Sequence, residues 1–109
     1  MDFLVQMDVQ LTPDVDERRK DQLVRMEADR AKELAAEGRI QRLWRLPGRW
    51  SNVGIWSADD GTSLHEAIAS LPFFPWLNVS VIALASHPND PASSSGPGGD
   101  ARVANGLLQ

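Results

Sequence analysis

The sequence predicts an α+β domain in the order βαββαβ, one antiparallel sheet with both helices on a single face. Three observations carry that prediction. Apolar residues alternate with period two at the start, a stretch rich in Ala, Leu, Glu, Arg and Lys follows, and a Pro-Gly pair then separates two further extended segments. The 109 residues suffice for a single hydrophobic core and one fold unit.

The elements follow in order. Phe3, Val5, Met7 and Val9 alternate with Leu4, Gln6, Asp8 and Gln10, which reads as a strand with one buried face ending at Thr12-Pro13. Residues 14–37 hold no Gly or Pro and carry acids at their start, with Gly38 placed to terminate a long helix. Residues 39–46 and 50–57 form a hairpin through Pro47-Gly48, where a fixed proline φ and a permissive glycine suit a tight turn. Asp59-Asp60-Gly61 breaks the second of these strands, and Ser63-Leu64-His65-Glu66 has capping-box spacing for a short helix reaching about Leu71 before Pro72. The last strand is 77–85, a run of Val, Ile, Leu and Ala after Pro75-Trp76. Short crossovers around one sheet make this a ferredoxin-like arrangement. Beyond His87-Pro88 the chain becomes NDPASSSGPGGDARVANG, too poor in aliphatic residues to offset the entropy of ordering. The expected organisation is a folded domain over 1–88 and a mobile, non-catalytic tail over 89–109.

Composition excludes several classes of function. A net charge of -4 argues against a general nucleic-acid binder, which needs surplus Lys and Arg. The absence of cysteine removes disulfides, thiolate nucleophiles and Cys-based zinc sites. The alternating start resembles no signal peptide, and no apolar run approaches a membrane span, so the expected location is the cytoplasm. His65 and His87 lack ligand-spaced partners, so no metal site is expected, and no phosphate-cradling glycine motif precedes a helix.

Two constellations carry chemistry. Taking 100° per residue from Leu23, Leu34 falls near +20°, Glu27 near +40°, Arg30 near -20° and Met26 near -60°. A carboxylate and a guanidinium thus lie inside the apolar stripe of the first helix. The plainer reading is an i,i+3 ion pair at the stripe's edge; the sharper one is a buried acid of raised pKa, suited to carrying protons. The second constellation is RLWRLPGRWSNVGIW, residues 42–56, with three of the four tryptophans and three arginines. By strict alternation Ile40, Arg42, Trp44 and Leu46 share one face, and Trp50, Asn52, Gly54 and Trp56 share one face of the next strand. Core or subunit-interface packing explains any single tryptophan. Together, rings, an amide and a cation suit a small cleft for an organic anion.

MDFLVQMDVQLTPDVD, ELAAEGRIQRLWRLPGRW and LHEAIASLPFFPWLNVSVIALASHP together resemble the muconolactone Δ-isomerase family, over residues 1–88. The most specific elements are Glu37-Gly38, Leu43-Trp44-Arg45, Gly48 and the turn Leu71-Pro72-Phe73-Phe74-Pro75. The resemblance implies a dimeric α+β barrel whose sheets associate into dimers and then decamers, and chemistry without metal or organic cofactor in the 3-oxoadipate pathway. It implies movement of the ring double bond of (+)-muconolactone by proton transfer from C4 to C2. Glu27 matches the family's helix glutamate and is the implied proton shuttle. Candidate donors to the developing oxyanion are Asn52 and the indole of Trp44 or Trp50. Arg42 or Arg45 is the candidate carboxylate clamp, with Arg39 and His65 at the rim. Where the family carries Tyr or His around 49–56, this chain has Arg49, Trp50 and Trp56. A substituted chloro- or methyl-muconolactone, handled by isomerisation or dehalogenation, and a non-catalytic acid-binding module are the competing readings.

Overall fold

The computed structural model describes residues 1–94. Its elements are β1 (Asp2–Val9), α1 (Glu17–Ala36), β2 (Ile40–Arg45), β3 (Ser51–Ser57), α2 (Gly61–Ala69) and β4 (Leu77–Leu84), with short 3₁₀ turns at Phe74–Trp76 and Pro91–Ser94. The predicted order βαββαβ is the observed one. The tail expected over 89–109 lies mostly outside the described residues.

The sheet is antiparallel throughout, in the order β2-β3-β1-β4. β1 is central, pairing Val5 with Gly54 on one side and with Val81 on the other. Its odd-numbered side chains are the buried ones, as the alternation required: Phe3, Val5 and Met7 are each at most 4% exposed. They pack with Leu34 from α1, with Leu64, Ala67 and Ile68 from α2, and with Trp56 from β3. Both helices therefore cover the same sheet face.

Helix α1 starts at its N-cap, where the Asp16 side chain accepts from the Arg19 N–H at 2.8 Å. It ends at Ala36, capped by Glu37, and Gly38 after it has a φ of +81° that lets the chain turn back. Gly38 N–H then bonds to Ala35 O, and Arg39 N–H to Leu34 O, a Schellman closure that aims β2 at the sheet.

The start of α2 corrects the sequence reading. The helix begins at Gly61, two residues before the expected capping box, and its cap is Asp60, whose carboxylate accepts from the Ser63 N–H at 2.8 Å. An ionised carboxylate is the stronger acceptor, and Ser63 becomes a residue of the first turn.

Candidate active site

The inward stripe of α1 is marked by Leu23 and Leu34, both essentially buried. Glu27, one turn after Leu23, is half-buried on the same side. It does not pair with Arg30. That guanidinium instead bonds to Glu33 at 2.8 Å and to the Ser70 hydroxyl at 2.9 Å. Glu27 Oε1 accepts a hydrogen bond from the Phe73 N–H at 3.0 Å. Phe73 is presented by the Leu71–Pro75 turn, held by Phe74 N–H to Leu71 O and Trp76 N–H to Phe73 O. Burial pushes the Glu27 carboxyl above its ordinary value, and the Phe73 N–H partly offsets the rise.

Glu27 faces a cleft of about 260 Å³ between α1 and the sheet. Its inner walls are Met7, Ile40, Trp56, Leu71 and Phe73, all buried. Asn52 and Trp50 line it nearer solvent. Trp50 is 44% exposed, stands edge-on to Phe73 with ring centroids 5.4 Å apart, and carries the Lys20 ammonium 5.3 Å above its ring. Met26, which helical angle put beside Glu27, is 47% exposed and does not line the cleft, whereas Val24 does.

A β-bulge decides which arginine faces this site. Ile40 pairs with Trp56, yet Arg42 pairs with Ile55, so one extra residue, Gln41, is inserted in β2. Strict alternation is broken there. Directly paired residues share a sheet face, so Leu43, opposite Gly54, and Arg45, opposite Asn52, lie on the cleft side. Arg42 and Trp44, opposite Ile55 and Val53, lie on the other side, with the Arg42 guanidinium stacked 4.6 Å from the Trp44 ring centroid. The expected grouping of Arg42 and Trp44 with Ile40 is thereby overturned. Gly54 makes the bulge compatible with the ladder: a Cβ there would collide with the Arg42 carbonyl and with a methyl of Leu43.

Beside the cleft, at the hairpin end, lies a cationic basin of about 570 Å³ that shares Leu43, Trp50 and Asn52 with it. Trp44, Arg45 and Arg49 border the basin. Arg49 is already engaged, its Nη2 lying 3.0 Å from Asp8 Oδ1, and the Ser51 hydroxyl donates to the same oxygen. These contacts, Ser51 first and Arg49 after it, hold the Asp8 carboxyl below the usual range. Arg45 has no ion pair among the described residues.

The two rim candidates lie elsewhere. Arg39 sits in a separate recess, 3.8 Å from Glu37 and donating to the Ser63 carbonyl at 3.4 Å. His65 lines an apolar groove beside α2, edge-on to Phe74 at 5.9 Å. Neither borders the Glu27 cleft. Conversely, Trp56 is a cleft residue that sequence reasoning had grouped with Asn52 without giving it a role; the parity of β3 was the available signal. Among the described residues no cluster of three or more His, Asp or Glu has the arrangement to hold a metal, and no helix is long and apolar enough to cross a membrane.

Comparison with known proteins identifies the family. A family model described as muconolactone delta-isomerase matches residues 1–90. The muconolactone delta-isomerase of Rhodococcus opacus is 33% identical over 88 residues, covering 81% of this chain and 95% of that protein. Muconolactone delta-isomerase 2 of Acinetobacter lwoffii is 36% identical over 85 residues, covering 78% and 88%. A crystal structure of muconolactone isomerase superposes with a TM-score of 0.77 at 33% identity, covering 84% of this chain and 95% of that one.

Proposed function

The chain belongs to the muconolactone Δ-isomerase family, and on that premise we propose that it shifts the ring double bond of (+)-muconolactone to give 3-oxoadipate enol-lactone, in the catechol branch of aromatic catabolism. The observation that carries the reading is a half-buried carboxylate, Glu27, in an apolar cleft that shares Leu43, Trp50 and Asn52 with a basin bordered by Arg45, which has no ion pair among the described residues. The reaction needs a base, a donor for the charge that base creates, and a cation for the carboxymethyl group.

Glu27 removes the C4 proton, leaving a dienolate whose negative charge spreads onto the acyl oxygen of the lactone. The protonated Glu27 then returns the proton to C2. No electrons are gained or lost and the composition is unchanged. Burial makes Glu27 a stronger base than a solvated glutamate, and the Phe73 N–H anchors one of its oxygens so that the other serves both carbons. The Asn52 amide, with no side-chain hydrogen bond among the described residues, donates to the substrate. Arg45 binds the carboxymethyl carboxylate, favoured over Arg42 because it shares the Asn52 face. Trp50 shields the mouth.

The same reading extends to assembly and place. The sheet face away from the helices carries Leu4, Val53, Ile55, Ile82 and Leu84, with Ile82 57% exposed, which supports pairing of sheets into dimers that build a decamer. The working compartment is the cytoplasm.

The test is a proton NMR time course with muconolactone in D2O and no added metal. Loss of the C4 signal with appearance of the enol-lactone is expected, and retention of some of the original proton at C2 marks a single shuttling base. A substrate left unchanged removes the reading.

A further inference from the structure

Lys20 is a half-buried lysine of α1 whose partner is not the one its helix offers. Asp16 and Glu17 lie four and three residues before it, the spacing at which helical side chains form ion pairs. Among the described residues neither pairs with it, and no other carboxylate does. The ammonium lies instead over the Trp50 ring, 5.3 Å from its centroid.

Trp50 joins separate elements. Its backbone is tied to β1, the Val9 N–H donating to Trp50 O at 3.0 Å. Its ring, 44% exposed, touches Lys20 of α1 and stands edge-on to Phe73 of the Leu71–Pro75 turn, 5.4 Å between centroids. The Phe73 N–H in turn donates to Glu27 Oε1 at 3.0 Å. Three contacts thus run from Lys20 to Trp50 to Phe73 to Glu27. They return to α1 seven residues further on, about two turns along the same side. An exposed side chain changes rotamer within nanoseconds unless contacts hold it, and a cation over a ring face is such a contact. Burial first and the Phe73 N–H second move the Glu27 carboxyl from its ordinary value. Holding Phe73 therefore bears on Glu27 without any contact between Lys20 and the carboxylate.

We propose that Lys20 is a positioning residue: its ammonium seats the Trp50 ring against Phe73, which fixes the Phe73 peptide and with it the orientation of the Glu27 carboxylate. This rests on the isomerase reading and deepens it. A base that serves two carbons of one ring works from a single seat, and misplacing such a group by about 1 Å costs on the order of 10²-fold. Lys20 acts on kcat through Trp50, so its effect vanishes once that ring is gone.

The experiment is a double-mutant cycle in the intact chain, read by steady-state turnover of muconolactone. Lys20→Met should lower kcat about two- to fivefold, the worth of an exposed cation–π contact expressed as a rate, with KM within about twofold of wild type. Lys20→Arg, which keeps a cation able to stack on the ring, should restore kcat. In a Trp50→Leu background Lys20→Met should change kcat by less than about 1.5-fold, because the two positions are coupled. In protein labelled with 5-fluorotryptophan, the Trp50 fluorine signal, identified by its absence from Trp50→Leu, should shift in Lys20→Met and return towards its original position in Lys20→Arg. An unchanged kcat in Lys20→Met, or an equal loss in the Trp50→Leu background, overturns the proposal and leaves the isomerase reading standing. So does an effect confined to KM that added salt abolishes, the mark of an ammonium that binds the substrate carboxylate itself. Failure of the wild type to turn over muconolactone overturns both.

Discussion

Glu27 was legible as a residue of interest from its angle on the helix, but its partner was not. Periodicity places Arg30 within reach three residues on, whereas the fold gives Arg30 to Glu33 and Ser70 and brings Phe73, 46 residues away, to Glu27. The consequences can be measured. Glu27→Gln should lower kcat by about 10²–10⁴, the usual contribution of a positioned general base, with the near-UV spectrum unchanged. The pKa of Glu27 is raised from 4.5 in the folded state, so the wild-type kcat/KM should fall as pH drops through that raised value. The sign for stability is opposite to that of a paired carboxylate. A glutamate with a raised folded pKa binds its proton more tightly folded than unfolded, so it costs stability as pH rises from about 4.5 through the raised value. Glu27→Gln should therefore melt no lower than wild type at neutral pH, by calorimetry.

At the scale of the element, the β2–β3 hairpin shows what a single inserted residue does. Alternation alone left Arg42 and Arg45 on opposite faces with no means of choosing between them. The bulge at Gln41 then places Arg45 with Asn52 and sends Arg42 to stack on Trp44. Arg45→Met should raise KM for muconolactone at least tenfold with a smaller effect on kcat, whereas Arg42→Met should leave KM within about twofold; steady-state kinetics separates the two. Gly54→Ala should destabilise by about 1–3 kcal/mol, the cost of forcing an atom into filled space, read as a lower urea midpoint. The α2 cap teaches the same lesson about sequence: the capping-box spacing pointed to Ser63, while Asp60, read only as part of a strand break, is the cap in the fold. A carboxylate accepts the stronger hydrogen bond, and Ser63 supplies the N–H it accepts from.

At the scale of the whole molecule, acid should test the tethers at the sheet ends. Asp8, bonded to Ser51 and Arg49, and Asp60, bonded to the Ser63 N–H, have folded pKa values below their ordinary 3.8. Their stabilisation is fully present above that pH and is lost as the pH falls through the lowered values. Asp8→Asn should flatten the acid limb of the melting temperature against pH. Light scattering should give a particle of about 120 kDa, ten times the 12.0 kDa chain, if the uncovered sheet face assembles as proposed. Taken by itself, the sequence determined the order of elements, the buried face of β1, the stripe of α1 and the family, because these rest on local periodicity, turn chemistry and contiguous motifs. Only the tertiary structure decided that Phe73 anchors Glu27, that Arg45 lies on the cleft side, that Arg39 and His65 stand apart, and that Trp56 is buried in the cleft wall. Each of those depends on register between strands or on contacts between residues distant in the chain, and a one-residue bulge is enough to reverse a face.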